Sequence, residues 1–326
     1  MTLRTLMVRA AALFCACSVA GVASAQSVDY PSKPIRILVP FVAGGATDIL
    51  ARMVGQNLSS QWGQSVVIDN RPGANGILAA DLTAKSTPDG HTLLFVAIGH
   101  AINPLLQKNL PYDTQKDFTP VSLAAVLPLI VSAHPTVPAT NVKELIALAR
   151  TGPRRLNYAS GGVGSSQHLA TALFASMAKI ELVHIPYKGG NQGLLDLVAG
   201  QVDMMISTIL SLTPHLKSGR LKGLAITTPR RSSAWPDMPT VSEAGLRGYQ
   251  SLAWYGMVGP RGMAPPVLKK LSDEVARIIK SKAVQENLTA QGADPVGSSS
   301  AEFGAFIKAE TKRYESVVRD AGVTTE

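Results

Sequence analysis

Along this chain, short unbroken apolar runs alternate with stretches whose apolar residues recur at helical spacing. Ile35-Arg36-Ile37-Leu38-Val39 ends at Pro40, and Ile49, Leu50, Met53, Val54 and Leu58 follow at helical intervals. Val66-Val67-Ile68 leads through the turn cluster Asn70-Arg71-Pro72-Gly73 to Ile77, Leu78 and Leu82, and residues 92–98 are the next run. The order then repeats: strands over 127–131, 156–159, 182–185, 202–206 and 221–227, and helices over 142–150, 167–177 and 194–198, the first with Asn141 as N-cap. A Pro-rich stretch from 228 to 239 precedes a strand over 252–258 and two helices over 265–281 and 301–321. Strands of four to eight apolar residues alternating with helices predict an α/β protein with mainly parallel sheets covered on both faces.

The 326 residues, 46% of them hydrophobic, suffice for two cores. Two α/β units followed by a helical return suggest two lobes with the chain crossing between them twice. Lobe one is placed at 27–117 plus 227–326 and lobe two at 118–226. Two sequential domains joined near residues 152–153 are the alternative, and the absence of a Ser/Gly-rich linker favours the crossed arrangement.

The N-terminus reads as a secretory signal: Arg4 and Arg9 without acids, an apolar or small stretch over 10–23, and an Ala23-Ser24-Ala25 cleavage site before Gln26. Both cysteines, Cys15 and Cys17, lie in this segment; Cys15 follows Phe14, a poor lipidation context. Cleavage near Ala25 would leave an exported, cysteine-free chain, without disulfides, thiolate catalysis or zinc–cysteine sites.

The net charge of +9 is spread over helical faces, where Lys269, Lys270, Lys280 and Lys282 mix with Asp273 and Glu274. Aromatic residues are 5% and do not interleave with the basic ones, which argues against nucleic acid and leaves a diffuse field that attracts small anions. There is no HExxH, nucleophile elbow or GxxxxGK[ST]. Gly162-Val163-Gly164 opens like a dinucleotide fingerprint but has Gln167 in place of the third glycine. The histidines are scattered without ligand spacing, so neither a metal nor a cofactor is expected. Ser165, His168 and Asp203 keep a secreted serine hydrolase as an alternative.

Two segments share one design. Pro40-Phe41-Val42-Ala43-Gly44-Gly45-Ala46-Thr47-Asp48 and Tyr158-Ala159-Ser160-Gly161-Gly162-Val163-Gly164-Ser165-Ser166 each join a buried strand to a helix, one in each half. Glycines allow backbone N–H groups to face outward at a helix N-terminus, where unpaired donors and the helix dipole favour an anion. Thr47, Ser160, Ser165 and Ser166 add hydroxyls. Asp48 would oppose an anion and is read chiefly as fixing its loop. Tyr187-Lys188-Gly189-Gly190 is placed to supply a hydroxyl or an ammonium to a cleft, and Trp254-Tyr255 to wall it.

Pro40-Phe41-x-x-Gly44-Gly45-x-x-Asp48, Asn70-Arg71-Pro72-Gly73-Ala74, Pro88-Asp89-Gly90-x-Thr92-Leu93-Leu94, His100-Ala101-Ile102-Asn103-Pro104, Tyr158-Ala159-Ser160-x-Gly162-x-Gly164, Pro186-Tyr187-Lys188-Gly189 and Pro239-Thr240-Val241-x-Glu243-Ala244-Gly245 occur in this order. Together they resemble the Bug-type periplasmic solute-binding receptors of the tripartite tricarboxylate transporter family, over essentially the whole chain after the signal.

The resemblance implies a non-catalytic, two-lobed Venus-flytrap receptor of the type II periplasmic binding-protein class. It would capture a small organic carboxylate through neutral donors and deliver it to membrane permease subunits. A monomer is the default, and a receptor that signals to a membrane sensor is a further alternative. The implied ligand-binding residues are Phe41, Gly44, Gly45, Thr47 and Asp48 from the first loop, and Ser160, Gly162, Gly164, Ser165 and Ser166 from the second. His100, Tyr187, Ser207, Trp254 and Tyr255 complete the set. Ser207 departs from the family pattern, which commonly has an acid near that position. Its loss would suit a non-amino carboxylate, dicarboxylic or aromatic.

Overall fold

Arg36 is the exposed residue of the first strand, β1 (Ile35–Val39), and the apolar side chains around it are buried. The computed structural model describes residues 29–152, 155–320 and 323. The signal-segment reading and both cysteines lie outside these residues. Every element below belongs to the unit Pro31–Glu326.

After β1 come α1 (Ala46–Trp62), β2 (Val66–Asn70), a 3-10 turn at Ala74–Gly76, α2 (Ile77–Ala84), β3 (Thr92–Ala97) and α3 (Gly99–Leu106). A long strand, β4 (Phe118–Ala133), leads to α4 (Val142–Thr151), β5 (Asn157–Ser160), α5 (Ser166–Ala178), β6 (Val183–Pro186), α6 (Gly190–Val198), β7 (Met204–Thr208), α7 (Ile209–Lys217) and β8 (Lys222–Ile226). The chain closes with β9 (Leu252–Pro260), α8 (Pro265–Lys280), α9 (Lys282–Ala290), β10 (Asp294–Pro295) and α10 (Ser300–Asp320).

The strand order is β2-β1-β3-β9-β4-β7-β5-β6, with β8 and β10 paired to β4 off this path. The outer trios are parallel, β2-β1-β3 on one side and β6-β5-β7 on the other. Between them β9 and β4 run antiparallel to their neighbours. Strand β4 pairs with β9 up to Pro128, and from Leu129 onward with β7.

Two apolar cores follow this division. Leu38, Leu94, Val96, Trp254 and Phe303 belong to one; Ile130, Leu194, Leu197, Met205 and Ile209 belong to the other. The predicted N-cap is present: Asn141 Oδ1 accepts from the Glu144 N–H at 3.0 Å. The sequence pattern showed only residues 127–131 of β4. Its first half carries Thr119, Pro120 and Ser122, and the register with β9 shifts twice there, so neither period is legible until β9 supplies the partner. Helices α3 and α7 contain Pro104 and Pro214 and were likewise unread.

Candidate functional site

Loop one leaves β1 at Pro40 and enters α1 at Gly45, an N-cap without a side-chain hydrogen bond. Asp48 locks it from behind. Its Oδ2 accepts from the Gly44 N–H at 3.0 Å and from Arg52 Nε at 2.9 Å, and its Oδ1 accepts from Asn70 Nδ2 at 2.9 Å. Asn70 Nδ2 also donates to the Phe41 carbonyl, and Arg52 to Asn70 Oδ1. Burial alone would raise the Asp48 pKa; the bonds from Arg52, Gly44 and Asn70 outweigh it and hold the carboxyl below its ordinary value. Replacing Asp48 by alanine leaves the Gly44 N–H and one Asn70 amide hydrogen without their acceptor, while the half-exposed Arg52 can turn to water, and the expected loss is about 2 kcal/mol in denaturant unfolding.

Loop two is locked differently. Ser165 caps α5, its Oγ accepting from the His168 N–H at 3.3 Å, while the Gly164 N–H donates to His168 Nδ1 at 3.1 Å. The Gly162 N–H donates to Ser160 Oγ at 3.1 Å, and that hydroxyl bonds His184 Nε2 at 2.6 Å. The Tyr158, His168 and His184 rings stack as one cluster, the His184 centroid lying 4.8 Å from that of Tyr158 and 4.1 Å from that of His168. Burial lowers both histidine pKa values to about 4, so both rings are neutral near pH 7.

Between these loops lies a cavity of about 30 Å³ onto which five helix N-termini open. Gly45, Ala46 and Thr47 begin α1, Gly99 begins α3, Ser165, Ser166 and Gln167 begin α5, Gly190 and Asn191 begin α6, and Ser211 is in the first turn of α7. Each helix directly follows a strand (β1, β3, β5, β6, β7), so all five starts sit at carboxyl ends of strands, where open α/β sheets bind ligands. Helices α1, α3, α6 and α7 carry no side-chain N-cap, so no capping side chain takes up their first-turn N–H groups. The rest of the wall is Phe41, Val42, Asn75, Ala97, Ile98, Gly161 and Tyr255, without Asp, Glu, Lys, Arg or His.

The loops touch across this cavity. Asn191 Nδ2 donates to the Ala43 carbonyl at 3.1 Å. A Cβ on Gly189 would lie 2.8 Å from Val42 Cγ2, and one on Gly164 would lie 2.7 Å from Leu106 Cδ1. The Tyr255 hydroxyl interacts with the Ser166 side chain, and burial raises its pKa, so it remains a neutral donor.

Of the residues nominated from sequence, Phe41, Gly45, Thr47, Ser165, Ser166 and Tyr255 line the cavity. Gly162 and Tyr187 line an adjoining cavity, and the remaining residues are placed as follows. Trp254 is core, packed edge-on against Phe303 and Phe306. Ser207 is buried inside β7, so its departure from the family pattern does not bear on the cavity wall. His100 faces away, edge-on to Phe118 at 4.8 Å. Asp48 and Ser160 hold loops, and the N–H groups of Gly44, Gly162 and Gly164 are engaged within them. Tyr187 donates its hydroxyl to Asp196 at 2.6 Å, so it offers a ring rather than a donor.

Sequence reasoning missed Asn75, Gln167, Asn191 and Ser211. Asn75 has a left-handed backbone (φ 49°), and its amide stands close to both Gly99 and Gly164. The Asn75-Gly76 pair, a favoured left-handed sequence, was the available signal.

The family model described as "Tripartite tricarboxylate transporter family receptor" matches residues 50–323. This chain belongs to that receptor family. Among relatives of the receptor, protein BugT of Bordetella pertussis is 36% identical over 310 residues, covering 93% of this chain and 94% of BugT. Solved structures agree. Rhodopseudomonas palustris Rpa4515 with adipate has a TM-score of 0.88 at 38% identity, covering 91% of this chain and 99% of its own. Periplasmic binding protein BugD has 0.87 at 30% (91% and 100%), and MatC of R. palustris with bound malate 0.84 at 34% (89% and 100%). The receptor therefore has the two-lobed α/β fold of the periplasmic binding proteins, as the sequence resemblance implied.

Proposed function

We propose that the protein captures a small organic carboxylate between its two lobes in the periplasm and passes it to the permease subunits of a tripartite tricarboxylate transporter. The observation that carries this reading is the convergence of five helix N-termini on a cavity without a charged side chain. Partial positive charge from the helix ends and neutral N–H and O–H donors suit a carboxylate. The lack of acids leaves a ligand ammonium without a partner, which favours a non-amino carboxylate. Adipate and malate in two related proteins fit the same chemistry.

In this reading lobe one is built on β2-β1-β3 and lobe two on β6-β5-β7. The change of partner within β4, from β9 to β7 after Pro128, supports a first crossing in that strand. The second lies at Thr227, whose hydroxyl donates to the Ser251 carbonyl and whose N–H donates to Leu129 O. Ligand contacts made only when both lobes meet would supply the free energy of closure. Removal of residues 1–25 on export remains part of the proposal.

A hydrolase built on Ser165 and His168 is disfavoured, because the Ser165 hydroxyl accepts the helix-cap bond and His168 Nδ1 accepts from Gly164. The test is a thermal-shift screen against mono- and dicarboxylates. A bound carboxylate at 100 times its Kd is expected to stabilise by about 2.7 kcal/mol. The reading fails if no carboxylate raises the melting temperature while an ester is hydrolysed and Ser165→Ala abolishes the hydrolysis.

A further inference from the structure

A cavity of about 430 Å³ lies apart from the anion site and shares no wall residue with it. Three stretches of chain build it: Pro128 of β4, residues 228–233 after β8, and residues between Thr289 and Asp294, where α9 gives way to β10. Pro128 is the last β4 residue paired with β9. Thr228 follows Thr227, which is tied to both Leu129 and Ser251. The cavity therefore sits beside both crossings between the lobes.

Its walls are braced from behind. The Thr228 hydroxyl donates to the Arg230 carbonyl, and Ser232 Oγ accepts from the Ala234 N–H at 3.2 Å. On the other side Asp294 pairs through its backbone with Val126 of β4. Of the three charged residues in the wall, Arg231 is taken, its Nε donating to Glu243 at 2.9 Å. Arg230 and Asp294 remain. Both are exposed at the cavity, and among the described residues neither side chain makes an ion pair or hydrogen bond, with each other or with anything else. Partial burial raises the Asp294 pKa with no cation to offset it. The rest of the wall is Pro, Gly, Ala and the hydroxyl residues Thr228, Ser232, Ser233 and Thr289.

We propose that this cavity is an effector site for a zwitterionic α-amino acid, whose carboxylate pairs with Arg230 and whose ammonium pairs with Asp294. An ion of one sign would satisfy one of these side chains and meet the other as a like charge. The wall is the converse of the anion cavity, which offers an ammonium no acid. A contact links the two sites. Gly292 packs so tightly that a Cβ there would lie 2.4 Å from Ile209 Cδ1, and Ile209 begins α7, whose first turn opens onto the anion cavity. An occupant braced between the walls bears on closure, a step that rests on the two-lobe reading above. Coupling is reciprocal, so the amino acid and the carboxylate change each other's affinity by the same factor.

The experiment is calorimetric titration of the exported protein with alanine, serine, glutamate and lysine, and then with the N-acetyl and amide forms of the tightest of them, each of which lacks one charge. Both forms should bind at least about fivefold more weakly than the parent amino acid. Arg230→Gln and Asp294→Asn should each weaken the amino acid about fivefold, with Arg230→Lys and Asp294→Glu recovering part of the loss, while carboxylate affinity in the absence of amino acid stays at the wild-type value. Saturating amino acid should change the carboxylate Kd at least about threefold without competing for its site. Failure of all four amino acids to bind, equal binding of the N-acetyl or amide form, simple competition with the carboxylate, or an unchanged carboxylate Kd each overturns the inference and leaves the anion site standing. Loss of carboxylate binding in the wild-type protein would instead count against the anion-site reading.

Discussion

Valine at position 164 should abolish the stabilisation by carboxylates and raise their Kd at least about 100-fold, while the unliganded protein keeps its far-ultraviolet circular dichroism. Gly164 has φ +79°, where a β-branched residue is strained by roughly 1–2 kcal/mol. Its Cβ would also lie 2.7 Å from Leu106 Cδ1 and 2.8 Å from Asn75 Nδ2, both contributed by the opposite side of the cavity. The loops would then be held apart and the α5 start separated from those of α1 and α3. The Gly164 N–H already bonds His168, so the damage comes from blocked closure rather than from loss of a ligand donor. Gly189→Val should act in the same way, against Val42. Titration calorimetry with the best carboxylate from the screen checks both. Wild-type affinity in Gly164→Val would mean that the anion binds elsewhere.

Acid should destabilise the protein steeply, over a window set by its buried histidines. His100, His168 and His184 all have pKa values lowered to about 4, chiefly by burial, with mutual repulsion adding to the effect at His168. Their folded pKa values lie below the unfolded value of about 6.5. The unfolded chain therefore binds protons first as pH falls. Stability from this source is complete above about pH 6.5, declines between 6.5 and 4, and is fully lost below about 4, with a slope of about 1.4 kcal/mol per pH unit for each proton taken up. His100, fully buried with neither ring nitrogen partnered among the described residues, accounts for about 3 kcal/mol by itself. Urea unfolding from pH 7.5 to 4 measures the decline, and His100→Gln should flatten it by one proton. Protonation of the stacked His168 and His184 should also disturb loop two, because a protonated His168 Nδ1 no longer accepts from the Gly164 N–H.

The alternation of apolar runs and helical spacings was enough for the α/β class and for the strands that pack on the cores. It was also enough for the two glycine-rich loops, since Phe41, Gly45, Thr47, Ser165 and Ser166 line the cavity. Local physics explains this: a buried strand followed by glycines and a helix start places free N–H groups at a strand end in any parallel sheet. The less legible parts depend on distant partners. Trp254 and Tyr255 are adjacent in one strand, and alternation puts them on opposite faces; packing of α10 on one face made the first core and left the second to the cavity. Asn75 gained its place through a left-handed turn that brings it against Gly99 and Gly164, residues far from it in sequence.

By itself the sequence determined the layered α/β fold and placed the two glycine-rich loops between a strand end and a helix start, because strand period, glycine freedom and helix-end polarity act over a few residues. Only the tertiary structure decided that five helix starts rather than two meet in one cavity, that Asp48, Ser160 and the histidines support the loops from behind, and that Gly162 and Tyr187 line an adjoining cavity. Those outcomes depend on the order of strands in the sheet and on the contact between facing loops, which no local pattern encodes.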